Sequence, residues 1–147
     1  MEWTKDDFTV TTDKRRIDVN YVHKFLTHSY WAEGIPIETI QRSIEGSICF
    51  SAFHFDTQVG FARVITDEAT FAYLADVFID EKFRRKGLSK WMMEIITNYP
   101  SLQGLRRFIL ATRDAHGLYR QFGFQPLNNV DRWMQIHSPD VYRKPKQ

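Results

Sequence analysis

The longest near-continuous apolar stretch in the chain, broken only by Asp76, is 71–79, Phe-Ala-Tyr-Leu-Ala-Asp-Val-Phe-Ile. A run this continuous predicts a strand covered on both faces. Two further strand-like runs precede it, at 48–55 and 59–66, around Asp56-Thr57-Gln58, which predicts a β-hairpin. Alternation at 8–12 predicts a short first strand. Between them Ile17, Tyr21, Phe25 and His28 recur at helical spacing, so 17–27 reads as an amphipathic helix. A loop at 29–36, Ser-Tyr-Trp-Ala-Glu-Gly-Ile-Pro, leads to a second short helix at 37–43 with Pro36 near its start. Downstream, Leu88, Trp91, Met92, Ile95 and Tyr99 mark one face of a helix over 87–98 that Pro100 stops. A buried strand at 107–111 and a short helix at 115–122 follow, the helix ended by Gly123. Residues 124–127 and 133–137 read as closing strands, and 143–147 as a frayed tail.

Consecutive strands followed by a strand–helix–strand unit imply a mixed sheet with helices on both faces, an α/β (α+β) fold class. At 147 residues the expectation is one domain over 1–147. Hydrophobic residues make up 43% and charged residues 26%, close to globular averages. Net charge is +2, from 20 basic against 18 acidic residues, too balanced for a dedicated nucleic-acid binder. The lone Cys49 has no intramolecular disulfide partner and suits a reducing, cytoplasmic setting. The N-terminus lacks the basic-then-apolar order of a signal peptide, and no apolar run approaches the ~18 residues of a membrane span. His23, His28, His54 and His137 are scattered without ligand spacing, so no metal site is expected.

The chemistry concentrates where the 71–79 run ends. Arg84, Arg85 and Lys86 lead into Gly87, Leu88 and Ser89 at the start of a helix. A helix N-terminus leaves about four backbone N–H groups without intrahelical partners and carries a partial positive charge. Anions bind there, and Gly87 lets backbone approach a ligand closely. A solvated surface turn fits the same string when it stands alone. The strand before it and the helix after it favour a phosphate seat.

These residues resemble the GNAT family of N-acetyltransferases. Arg84, Gly87 and Ser89 stand on the family's cofactor loop (Arg or Gln, two residues, Gly, one residue, a small residue), and Val77-Phe78-Ile79 stands on the strand before it. A second stretch, 110–124, is similar to the family's N-A-x-x-x-Y-x-x-x-G-F pattern through Tyr119, Gly123 and Phe124, with Asp114 where Asn is common. The element order agrees from residue 8 to about 137.

The resemblance implies a mostly antiparallel central sheet with helices on both faces. It implies an enzyme that moves an acetyl group from acetyl-CoA to a primary amine by direct transfer in a ternary complex. A non-catalytic CoA-binding or regulatory module on the same fold is the alternative. In such a fold the 71–79 strand splays from the strand near 108–111, and the backbone of Val77, Phe78 and Ile79 meets the pantetheine arm. Arg84, Arg85, Lys86, Gly87, Leu88, Ser89 and Lys90 would meet the phosphates, and Asp114 the pantetheine. Tyr119 is the expected general acid, since a phenol with pKa ~10 can protonate a departing thiolate. Asp76 and Glu33 are both candidates for the base. Asp76 could instead pair with Arg63, and a neutral amine needs no base. His116 shares a helix face with Tyr119. Tyr30 and Trp31, with Phe53 and Trp133, could line an acceptor pocket, because aromatic faces attract cations. The expected partners are small-molecule or peptide amines, not nucleic acid or membrane. The resemblance also raises a homodimer through C-terminal edge strands.

Overall fold

The structure, a computed structural model, describes residues 1–143. Six strands form one sheet in chain order: β1 (Glu2–Lys5), β2 (Phe8–Thr11), β3 (Ile48–His54), β4 (Thr57–Thr66), β5 (Phe71–Ile79) and β6 (Arg107–Leu110). All neighbours are antiparallel except β5 and β6. That parallel pair requires a crossover, supplied by α3 (Leu88–Thr97). The other helices are α1 (Val19–Leu26), α2 (Ile37–Glu45) and α4 (His116–Arg120).

The helices cover both faces, as the apolar patterns imply. On one face Val22, Leu26, Ile40 and Ile44 of α1 and α2 pack with Cys49, Phe61 and Phe78. On the other, Leu88, Met92, Met93 and Ile96 of α3 and Tyr119 of α4 pack with Phe50, Val59, Ala62, Val64, Ala72 and Leu74. Burying each large apolar side chain stabilises the fold by about 1.5–3 kcal/mol. α1 begins where the Asp18 carboxylate accepts from the Tyr21 N–H at 3.0 Å, a cap worth about 1 kcal/mol.

The structure differs from the sequence reading at three places. β1 was not expected: it is a largely exposed edge strand, so no buried face wrote an apolar alternation into it. The helix expected over 17–27 starts later, at Val19, after a 3-10 turn at Lys14–Arg16 and the Asp18 cap. Residues 124–127 and 133–137 form no strand. Pro126 has no N–H for a ladder, and Asn129 (φ +55°) and a 3-10 turn at Val130–Arg132 redirect the chain. The expected frayed tail lies, beyond Arg143, outside the described residues. Among the described residues no helix is long and apolar enough to cross a membrane.

A bulge shapes β5. Phe61 pairs with Phe78 and Arg63 with Ala75, so Asp76 and Val77 together face Ala62. Asp76 takes φ +53°, a left-handed conformation that Asp tolerates better than most residues. Bulges of this kind bend a strand and raise its twist.

Candidate active site

β5 and β6 pair only over Phe71–Leu74 and Arg107–Leu110. Beyond Leu74 the outer edge of β5 carries no strand partner among the described residues, so 75–79 has backbone N–H and C=O groups free of any ladder on that side. The splay expected from the resemblance is present, and it starts next to the bulge. The side chains of Phe78 and Ile79 are buried in the two cores. Val77 beside them is half-buried, and the backbone of all three lies past the end of the β5–β6 ladder.

Asp76 holds this opening in shape. Its Oδ2 accepts from Arg63 Nε at 2.9 Å, and its Oδ1 accepts from Trp31 Nε1 at 2.9 Å. Arg63 donates through its NH1 nitrogen to Ser47 Oγ at 3.0 Å. The Arg63 pairing was one of the two roles the sequence left open for Asp76. Trp31 therefore ties the 29–36 loop to β5. Its neighbour Tyr30 ties the same loop to the other side, because the Arg113 guanidinium lies 4.0 Å over the Tyr30 ring. The two rings meet edge-on at 5.1 Å. Two adjacent aromatic residues thus bridge the gap from β5 to the turn after β6.

At the end of β5 the chain makes a 3-10 turn, Glu81–Phe83, then reaches α3. Arg85 and Gly87 both have positive φ, +65° and +78°. A Cβ on Gly87 would meet nothing within 4 Å, so the glycine serves the left-handed backbone and leaves the space in front of it clear. No side chain caps the start of α3, and its first N–H groups are available to an anion. Arg84 donates from Nε to the Ile79 carbonyl at 3.0 Å, which pins this cation to the end of β5. Lys86 lies 5.5 Å over the Phe83 ring. Arg85 and Lys90 are exposed, Ser89 is half-buried, and Leu88 is buried in the core. Leu88 therefore has only its backbone to offer a phosphate.

Tyr119 is buried in α4 and packs edge-on against Phe124 at 5.9 Å. Burial, with the nearby Tyr30 phenol second, raises its pKa above the ordinary phenol value. It lines a groove of about 680 Å³ that runs along β6, with Thr112 and His116 beside it.

Other expected residues fall elsewhere. Glu33 and Asp114 are exposed. Phe53 is buried under the Arg16 guanidinium, 4.6 Å from its ring, so it lines no open pocket. Trp133 stacks with Arg107 at 4.8 Å. Arg107 pairs with Phe71, at the opposite end of β5 from Val77–Ile79. Two residues passed over in the sequence lie against expected site residues. Arg113 braces Tyr30, and its signal was a cation inside the 110–124 stretch. Tyr21 sits below Phe78, ring centroids 5.8 Å apart, with a buried hydroxyl that has no hydrogen-bond partner. Burial, then the charges of Asp80 and Asp18, push its pKa up to about 12. The clue was a tyrosine in an apolar stripe where phenylalanine would pack as well. Among the described residues no cluster of His, Cys, Asp or Glu could hold a metal ion.

The chain is similar to known proteins in sequence and fold. The family model for the acetyltransferase (GNAT) domain matches residues 45–126. A curated protein of Gibberella zeae designated a candidate acetyltransferase is 31% identical over 155 residues, spanning 89% of this chain and 86% of its own. The crystal structure of a candidate GNAT acetyltransferase from Xanthomonas campestris pv. campestris is 44% identical, with a TM-score of 0.92 over 96% of this chain and 100% of that one. A candidate acetyltransferase of Clostridium acetobutylicum, solved with acetyl-CoA, shares the fold at a TM-score of 0.63 and 12% identity, over 88% of this chain and 94% of that one. With its splayed β5–β6 pair, its family-model match over more than half its length and a relative matched along most of both chains, this chain belongs to the GNAT acetyltransferase family.

Proposed function

We propose that the protein is an N-acetyltransferase that moves the acetyl group of acetyl-CoA directly to a primary amine of a small molecule or peptide. The observation that carries this reading is the opening of β5 from β6 beyond Leu74 and Leu110. An exposed strand edge recruits an extended, amide-bearing partner through main-chain hydrogen bonds, and pantetheine is such an arm. The left-handed Gly87 at the uncapped start of α3, among Arg84, Arg85, Lys86 and Lys90, suits its phosphates. Acetyl-CoA supplies an acetyl group already activated as a thioester. A backbone N–H near Phe78 would steady the carbonyl oxygen as charge develops there, a contribution of about 3 kcal/mol.

Tyr119 is the general acid of this reading. Burial keeps its phenol protonated to higher pH, ready to donate to the departing thiolate. Asp76 has both oxygens engaged, by Arg63 and by Trp31, so we assign it to positioning the opening and the 29–36 loop. Glu33 remains a candidate base, and an amine that arrives neutral needs none. Tyr30 and Trp31 present aromatic faces beside the opening, where an amine would enter. A binding module without chemistry would use the packed Tyr119 ring but not its hydroxyl.

The test is calorimetric titration with acetyl-CoA followed by thiol release across a panel of primary amines. Tyr119→Phe is expected to lower turnover by about 10²–10⁴-fold and to leave acetyl-CoA affinity unchanged. Absence of acetyl-CoA binding at millimolar ligand would overturn the function, and an unchanged rate in Tyr119→Phe would remove the general acid.

A further inference from the structure

One cation at the opening has no counter-charge. Arg113 lies in the segment between β6 and α4 and is exposed. Among the described residues its guanidinium makes no ion pair. Glu33 of the 29–36 loop and Asp114, its neighbour in the chain, are exposed as well and lie beyond ion-pair distance of it. The guanidinium is nonetheless placed, 4.0 Å over the Tyr30 ring. Tyr30 is set edge-on to Trp31 at 5.1 Å, and Trp31 is fixed by its 2.9 Å hydrogen bond to Asp76. A guanidinium stacked on a ring keeps its in-plane N–H donors for a planar oxyanion. A side chain seated in advance also gives up less rotamer freedom when a ligand binds.

The position of this cation matters as much as its charge. The Tyr30 phenol is close enough to Tyr119 to add to the rise of its pKa. The Tyr30 side chain therefore links Arg113 to the hydroxyl assigned to the departing thiolate. On the β5 side, the Asp76 carboxylate is offset by Arg63 at 2.9 Å and has its other oxygen on Trp31. The entrance thus holds a free positive charge at Arg113, while the carboxylate at Asp76 is already spent.

We propose that the acceptor amine carries a carboxylate, as an amino acid or a short peptide does, and that Arg113 binds that carboxylate from its seat on Tyr30. The inference rests on the N-acetyltransferase reading and names its substrate class. A guanidinium and a carboxylate pair through two parallel N–H···O bonds, which fix orientation as well as add affinity. Held at its acidic end, the acceptor points its amine toward the opening beyond Leu74. The same residue selects against other amines. A polyamine or an aminoglycoside would bring like charge against Arg113, which costs affinity.

Initial rates of thiol release from acetyl-CoA test this in the full chain, with glycine, β-alanine and longer ω-amino acids each beside its carboxamide. The carboxamide keeps the shape of the acid and loses its charge. The acid of a matched pair is expected to lead in kcat/KM by about ten- to a hundredfold, the worth of one charge-assisted contact, and mostly through KM. Arg113→Gln should erase that lead, and Arg113→Lys should keep part of it. Acetyl-CoA affinity should be the same in both variants. A mere brace for the 29–36 loop would lower acid and amide alike. Amides used as well as acids at every length would overturn the proposal, as would a preference that survives Arg113→Gln. Calorimetric titration with the N-acetyl acids and their amides keeps the two readings apart. Acids bound in preference by a protein that transfers no acetyl group, with the preference lost in Arg113→Gln, would uphold the carboxylate seat and remove the transfer. Transfer without acid preference would do the reverse, and absence of both would overturn both.

Discussion

Replacing Arg63 with Met removes one partner of a nearly buried ion pair. The Arg63 and Asp76 side chains are only 14% and 10% exposed. The carboxylate would keep the Trp31 N–H and lose its counter-charge. Breaking such a pair from one side costs about 3–5 kcal/mol, and the residual solvent access at Asp76 points to the lower part of that range. Against a total stability of about 5–15 kcal/mol, this is a large loss, corresponding to a fall in Tm of about 6–20 °C. Asp76→Asn in the same chain should recover much of it. Asn accepts the left-handed conformation, its side-chain oxygen still accepts from Trp31, and no uncompensated charge remains. The assay is urea unfolding of the wild type, both single variants and the double variant, read as a double-mutant cycle. An interaction energy of at least about 2 kcal/mol is expected. A cost below about 1 kcal/mol for Arg63→Met, or a double variant no better than the single, would refute the view that this pair anchors the bulge.

Three other outcomes follow from the packing of Gly60, Cys49 and the buried tyrosines. Gly60→Ala would bring a Cβ to 2.7 Å from Ile79 Cδ1 and 3.1 Å from the Phe78 carbonyl oxygen; the overpacking should lower stability by about 1–3 kcal/mol, and an unchanged urea midpoint would refute the close approach. Burial pushes the Cys49 thiol up to about 11, so at pH 8 about one molecule in a thousand carries the thiolate. A thiol reagent should label the unfolded chain at once and the native chain only as it opens; prompt native labelling would contradict the burial. Tyr21, at about 12, and Tyr119 are both raised above the unfolded phenol value, so their contribution is intact below pH ~10 and lost as pH climbs through the folded values. Stability measured from pH 9 to 12 should fall with tyrosinate absorbance lagging for these two of six tyrosines; six tyrosines titrating together would argue against it.

Much of the sheet was legible because burial on both faces leaves apolar runs, as in 48–55, 59–66 and 71–79. β1 was not, because an exposed edge strand needs no buried face. At 124–127 and 133–137 the reverse holds: the residue pattern suits a strand, but a strand also needs a neighbour, and nothing local supplies one. The anion seat was readable because its parts are contiguous, from Arg84 to Lys90. Tyr119 needed the spacing of a longer motif. The Arg63 partner of Asp76 could be suggested from adjacent strands, whereas the Trp31 hydrogen bond joins residues 45 apart and depends on the path of a loop. Arg113 over Tyr30 was hidden for the same reason, and no residue type at 76 announces a left-handed backbone in a strand.

The seam between β5 and β6 has a consequence for how the molecule assembles. β3, β4 and β5 are joined by short local connections and form the two most extended ladders, while β6 arrives after a crossover and is held by four residue pairs. Local pairings form quickly and distant ones slowly, and short, edge-bound elements open first in the native state. The candidate active site therefore lies between the part of the sheet that sets early and the part that locks late. A ligand seated there at a hundred times its Kd adds about 2.7 kcal/mol to the folded state. It would act as the last folding contact, so resistance to degradation would rise and fall with ligand supply.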